Sequence, residues 1–284
     1  MDRGRLLMLR EFGPSQLRSV VGLLPRPFVS LLYNLRSRGL LPTWLAKWAQ
    51  RGYRRTDQQI PHGVGAGLLF NPGNSIVSYA LGLVEPDVQA VLERHLKAGS
   101  TFYDIGANVG FFTVIGARLV APGGRVHSFE PHSDNAAALR HNVALNGFTH
   151  VTLWEAAVSS TGGDAQLYLT DTSALATLRA PGSAASPEPS VTVKCVAVDE
   201  LLAQGRLDPP DVVKIDVEGS EPDVLDAMAR TLERYRPVIV CELHDTNQAV
   251  GAKLRALGYV VTDLSDGSPI ESAAANAHVL ALPR

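Results

Sequence analysis

An α/β fold built on a mainly parallel sheet is the expectation for this chain, and three observations carry it. From residue 101 onward, short Val/Ile-rich segments alternate with stretches that are apolar at helical spacing, the pattern of successive βαβ crossovers. The 284 residues are 45% hydrophobic and 19% charged, enough apolar side chain for a sizeable core and too much for a disordered chain. The segment 102–113, FYDIGANVGFFT, ends an apolar run in a carboxylate, turns through glycines and opens a helix. In open α/β sheets such strand ends are where ligands bind.

The elements follow in order. Residues 1–56 read as short helices at about 15–23, 27–38 and 43–52, punctuated by prolines. Phe28, Leu31, Leu32 and Leu35 share one helical face, and Trp44 and Trp48 another. The longest apolar stretch, Val20 to Tyr33, is interrupted by Pro25, Arg26 and Pro27, so neither a transmembrane span nor a signal peptide is expected. Eleven Lys and Arg stand here against Asp2 and Glu11, a net +9, which leaves −11 for residues 57–284. That split is expected to separate a basic helical extension, 1–60, from a main domain, 61–284. The extension suits a lid, a dimer arm in a homo-oligomer, or a peripheral contact of residues 1–56 with an anionic membrane or an acidic substrate. Nucleic acid is not expected as a partner, because the −11 would repel its backbone.

Two short strands, 63–70 and 75–79, are expected around the turn Asn71-Pro72-Gly73, followed by a helix over 85–97 with Pro86 in its first turn. Strands are then expected at 101–105, 125–129, 151–157, 212–217, 238–241 and 260–263. Helices at 109–120, 133–146, 222–230 and 247–257 fall between them. The turn Ser265-Asp266-Gly267 leads to a last strand near 277–281, closing a hairpin at one sheet edge. A less regular insertion precedes residue 212, and 180–190 (APGSAASPEPS) has linker composition. Cys195 and Cys241 lack any metal-ligand spacing, so inert core thiols and a cytoplasmic location are expected.

The glycine turn discriminates between cofactors. GANVG lacks the second glycine of a dinucleotide fingerprint, and Asp104 would repel a pyrophosphate while suiting an ammonium. Glu130, in Phe129-Glu130-Pro131, ends the next strand 20 residues beyond Gly110, where an acid can accept both hydroxyls of a ribose. Together they favour an adenosine ligand without a pyrophosphate, such as S-adenosylmethionine, over a nicotinamide cofactor.

The ordered series YDIGANVGFFT, HSFEP, NVALN, EAAVS, VKIDVEGSE and VIVCELH resembles the FkbM family of S-adenosylmethionine-dependent methyltransferases, over about residues 80 to 245. The resemblance implies a class I (Rossmann-like) methyltransferase fold, a seven-stranded mainly parallel sheet of order 3-2-1-4-5-7-6. It implies O-methylation of a small-molecule hydroxyl acceptor: a sugar, a macrolide or polyketide, or a glycolipid. Asp104, Gly106, Asn108 and Gly110 would line the methionine part of the cofactor, Glu130 would hold the ribose, and Glu155 and Ala156 would border the adenine. The N-terminal extension lies outside the resemblance and inherits nothing.

Methyl transfer to an alcohol needs the hydroxyl proton to leave, hence a base or a metal that acidifies it. In the family's strand order the fourth and fifth strands are neighbours, so Asp216, Glu218, Glu242 and His244 are expected to cluster at the acceptor end. His244 is one candidate base. The other mechanism places Mg²⁺ or Mn²⁺ on Asp216 with Glu242 or Glu218. Glu218 and Glu221 also suit a helix start, where negative charge is favoured, and Lys214 is expected to point outward or pair with a carboxylate. Asn142, Tyr79 and Glu85 are minor candidates for bordering the cofactor, whereas His127, His132 and His141 read as packing or surface residues. N-methylation of an amino sugar and a non-catalytic adenosine-binding module are the alternatives.

Overall fold

The computed structural model describes residues 56–169, 176–179 and 190–284. The helices expected within 1–56 and nearly all of the linker-like stretch 180–190 lie outside them. The chain divides into two compact units, with the boundary between Val84 and Glu85.

In the first unit, β1 (Gln58–Gln59) pairs antiparallel with β2 (Leu69–Phe70), and α1 spans Val77–Leu81. The expected strand 63–70 shrinks to its last two residues, because Gly63 and Gly67 take positive φ and turn the chain. The expected strand at 75–79 is a helix. It ends on Gly82, whose left-handed backbone lets its N–H reach the carbonyls of Ser78 and Tyr79, a glycine C-terminal cap.

The second unit contains α2 (Pro86–His95), β3 (Thr101–Ile105), α3 (Phe111–Val120), β4 (Arg125–Phe129), α4 (Ser133–Leu145) and β5 (Val151–Trp154). After an insertion come β10 (Val212–Ile215), α6 (Glu221–Ala227), α7 (Ala229–Tyr235), β11 (Val238–Glu242), α8 (Asn247–Ala256), β12 (Tyr259–Asp263) and β13 (His278–Pro283). The main sheet runs β12-β13-β11-β10-β3-β4-β5. Counted by rank along the chain from the other edge, that is 3-2-1-4-5-7-6. Only β13 runs antiparallel to its neighbours, forming the edge hairpin with β12.

β3 is buried at all five positions, as a central parallel strand covered on both faces must be. Helix α3 packs on β3 and β4 and approaches so closely that a Cβ on Gly116 would stand 2.3 Å from a ring carbon of Phe102, which is fully buried. Gly116→Ala is therefore expected to destabilise the fold by about 1–2 kcal/mol. The overpacking outweighs the roughly 1 kcal/mol that alanine gains in helix propensity. A melting temperature equal to or above wild type would contradict it.

Three local differences from the sequence pattern matter to the site. The strand expected over 151–157 breaks, and β6 (Ala157–Val158) joins a second sheet with β7 (Gly163–Leu169), β8 (Ala176–Arg179) and β9 (Ser190–Val196), in the order β6-β9-β7-β8. The described residues of the insertion thus form sheet followed by helix α5 (Val198–Ala203). The helix expected over 222–230 is two, because Met228, at φ −129° and fully buried, leaves helical geometry.

Candidate active site

An open cavity of about 620 Å³, counted with its solvent mouth, lies beyond the C-terminal ends of β3, β4 and β10. Its floor is Ile105, Gly106 and Asn108; Glu130, Pro131 and Asn135 form one side, and Asp216, Val217 and Glu218 the other. The inserted sheet contributes an apolar wall of Ala157, Val158 and Leu167. Its signal in the sequence was the period-2 run Ala165, Leu167, Leu169 inside the irregular insertion.

Of the cofactor residues expected from sequence, Gly106, Asn108 and Glu130 line the cavity, whereas Asp104, Gly110, Glu155 and Ala156 do not. Gly106 (φ +80°) and Ala107 both donate their N–H to the carbonyl of Phe129, tying the turn to β4. Asn108 (φ +49°) accepts the N–H of Val109 on Oδ1 and donates its own N–H to Glu130 Oε2, at 2.8 Å in each case. Gly110 (φ +85°) precedes α3, and a Cβ there would lie 2.7 Å from Leu139. Asn142, fully buried, donates Nδ2 to the carbonyl of Val109 at 2.8 Å, so it anchors the turn to α4. Glu155 pairs with Arg140 on the surface, and Ala156 is buried beside the cavity-lining Ala157.

Glu130 accepts from Asn108 N–H on one oxygen and His132 N–H on the other. Burial pushes its carboxyl up to about 7, against the pull of those N–H groups. Asp104 is fully buried: Oδ2 accepts from Thr113 Oγ1 at 2.6 Å, while Oδ1 has no hydrogen-bond partner. Burial raises its carboxyl, partly opposed by the Lys214 ammonium. Lys214, 3% exposed, places Nζ 3.0 Å from Asp216 Oδ2 and over the ring of Phe112. Burial alone would raise Asp216, but this ammonium overcomes it and holds the carboxyl below its ordinary value.

The expected cluster at the ends of β10 and β11 forms, and its centre is a residue the sequence offered only as a helix cap. Glu221, fully buried at the start of α6, accepts from Gly219 N–H, from Thr246 Oγ1 and from His244 Nδ1, all at 2.9 Å. An acid with no exposed surface needs such donors, and the run E-G-S-E was the available signal. His244 Nε2 lies 3.3 Å from Glu218 and 3.9 Å from Glu242. Burial alone would lower the His244 pKa; Glu221 and Glu218 override it and hold the ring at about 9. Burial pushes Glu218 up to about 7, with His244 opposing.

Two sets of potential ligand atoms, each set within 4.8 Å, occur among the described residues: Asp216, Glu218 and His244, and Glu85, Glu242 and His278. Of the acids expected to share one metal, Asp216 and Glu218 are together and Glu242 belongs to the second set. Tyr79 belongs to the first unit. His127 is a packing residue, edge-to-face on Tyr103 and 3.3 Å from Asp208. Cys195 and Cys241 are free and buried, and burial pushes both thiols up. No helix among the described residues is long and apolar enough to cross a membrane.

Residues 104–261 match the family described as Methyltransferase FkbM domain. The hexuronic acid methyltransferase AglP of Haloferax volcanii is 32% identical over 160 residues, 56% of this chain and 62% of that protein, so the match spans less than two thirds of AglP. The 31-O-demethyl-FK506 methyltransferase FkbM of Streptomyces tacrolimicus is 29% identical over 202 residues, covering 60% of this chain and 76% of its own. A crystal structure of methyltransferase FkbM from Methylobacillus flagellatus aligns at 14% identity and a TM-score of 0.44, over 72% of this chain and 52% of that one.

Proposed function

Because the chain belongs to the FkbM methyltransferase family, we propose that it moves a methyl group from S-adenosylmethionine to a hydroxyl of a sugar- or macrolide-type acceptor. The observation that carries the reading is the cavity itself, with Glu130 on one side and Asp216 and Glu218, the neighbours of His244, on the other. The chain's residues fit the cofactor. Glu130, pinned through both oxygens, retains outward lone pairs for the ribose hydroxyls. Ala157, Val158 and Leu167 offer the apolar wall that a purine requires. Asp104 Oδ1 is a buried oxygen still lacking a donor, which a bound ammonium would supply directly or through water. The cofactor supplies an activated methyl group on a sulfonium.

On the acceptor side, His244 is the base. Its Nδ1 is fixed by the buried Glu221, which leaves Nε2 to face Glu218, a residue of the cavity wall, the arrangement that orients an imidazole for proton transfer. With a ring that titrates at about 9, the rate is expected to climb about 50-fold between pH 7 and 9 as the ring loses its proton. His244→Gln is expected to lower kcat by 10²–10⁴-fold. The same raised pKa makes His244⁺ stabilising below about 6.5, and that contribution is lost as pH rises through about 9.

The close set Asp216, Glu218 and His244 favours one other reading, a divalent cation that replaces the ring proton and acidifies the acceptor hydroxyl. A screen of hydroxylated sugars and macrolides with methyl-labelled S-adenosylmethionine, with and without a chelator, tests both. Turnover that persists in the presence of the chelator rules out the cation. Tight binding of a nicotinamide dinucleotide with no binding of S-adenosylmethionine would overturn the function.

A further inference from the structure

The second set of ligand atoms lies outside the proton-transfer cluster and has no part in the reaction as derived above. Glu242 and His278 face each other across the antiparallel pair β11–β13, and Glu85 stands immediately before α2, which packs against β11. His278 Nε2 lies 3.2 Å from Glu85 Oε2 and 3.4 Å from Glu242 Oε2. Despite these distances, His278 Nε2 and Glu85 Oε2 are shielded from solvent and have no hydrogen-bond partner. Both carboxylates converge on the ring nitrogen at ion-pair distance. A shared cation would satisfy all three groups at once in place of these ion pairs.

The spacing fits as well. A first-row divalent ion with bonds of ~2.1 Å sets neighbouring ligand atoms about 3.0 Å apart when six-coordinate and about 3.4 Å when four-coordinate. The observed 3.2 and 3.4 Å fall in that interval. Two carboxylates with one imidazole suit Mn²⁺ better than Mg²⁺ or Ca²⁺, which prefer oxygen throughout. Glu242 presents Oε2 to this set and Oε1 to His244, so its carboxylate joins the set to the acceptor side of the cavity.

We infer that Glu85, Glu242 and His278 form a site for a divalent cation of the Mn²⁺ type, separate from Asp216, Glu218 and His244 and touching them through Glu242. A bound ion clamps the segment that leads into α2 onto the β11–β13 edge and fixes the orientation of Glu242. The site does not depend on which mechanism moves the acceptor proton, nor on the identity of the acceptor.

The test is a titration of the full-length, metal-stripped protein with MnCl₂, following loss of the free Mn²⁺ paramagnetic resonance signal. Glu85→Gln and His278→Gln are each expected to bind one Mn²⁺ fewer per chain than wild type, whereas Asp216→Asn keeps the ion of this site. At 100 times its dissociation constant, Mn²⁺ is expected to raise the wild-type Tm by on the order of 5 °C, and the two variants lose that shift. A wild type that binds no Mn²⁺ overturns the inference, as does equal stoichiometry in wild type and both variants. Two variants are used so that one with a cooperative melt decides the matter if the other does not fold. Binding of S-adenosylmethionine by the same preparations reports separately on the proposed reaction.

Discussion

Gly106→Ala is expected to cost about 3–5 kcal/mol of stability, to lower Tm by on the order of 10 °C and to abolish binding of S-adenosylmethionine. At φ +80° a side chain is already strained, by roughly 1–2 kcal/mol. The larger cost is steric. An alanine Cβ would stand 1.7 Å from the carbonyl oxygen of Asp216, which is backbone and cannot swing aside. Asp216 is itself fixed, its N–H donating to Ile105 O at 3.0 Å while Gly106 and Ala107 bond to Phe129 O. The ends of β3, β4 and β10 would have to part, and those ends are the floor of the cavity. Stability is marginal, at roughly 5–15 kcal/mol for typical domains, so a loss of this size is readily measured. Thermal unfolding and calorimetry on the purified variant check it; wild-type affinity for the cofactor would mean that the turn is not its floor.

Removal of the Glu130 carboxylate is the second large effect. Glu130→Ala is expected to weaken S-adenosylmethionine by at least 100-fold, since two charge-assisted hydrogen bonds to a ribose are each worth about 1.5–3 kcal/mol. The variant also strands the N–H groups of Asn108 and His132. Burial pushes the folded-state pKa of Glu130 to about 7, above its unfolded value. The neutral form therefore favours the free protein at low pH, and that stability is lost as pH rises through about 7. The carboxylate is the better acceptor, so cofactor affinity is expected to rise between pH 6 and 8 in wild type. Glu130→Gln should bind weakly with no such rise. An unchanged pH profile in that variant would assign the titration elsewhere.

The contrast between Asp104 and Glu221 shows how much of the site was legible in advance. Asp104 was found from local pattern alone, as an acid ending an apolar strand ahead of a glycine turn, and the structure places it there. Its complete burial, with Thr113 and Lys214 as neighbours, depends on β10 lying beside β3. Glu221 was legible only as a favourable charge at a helix start. Its role as the anchor of His244 follows from β11 lying beside β10, which brings Thr246 and His244 to one carboxylate. The insertion was opaque for a related reason. Its strands do alternate, with Ala165, Leu167 and Leu169 in β7 and Val191, Val193 and Cys195 in β9 at every second residue, but which sheet they join depends on pairing with one another rather than with the main sheet.

Periodicity and strand-end chemistry are properties of neighbouring residues, so the sequence by itself determined the alternating α/β plan, the edge hairpin, the glycine turn at Gly106 and the two acids Asp104 and Glu130. Which acids share a proton, which are buried and which converge with a histidine are properties of strands adjacent in space and distant along the chain. That Glu221 anchors His244, that Glu242 also stands with Glu85 and His278, and that the inserted sheet walls the cavity follow from tertiary contacts alone. The reason is one of range. A backbone pattern acts over a few residues, whereas an ionisable group takes its charge and partners from whatever lies within a few ångströms, and sheet order sets that environment.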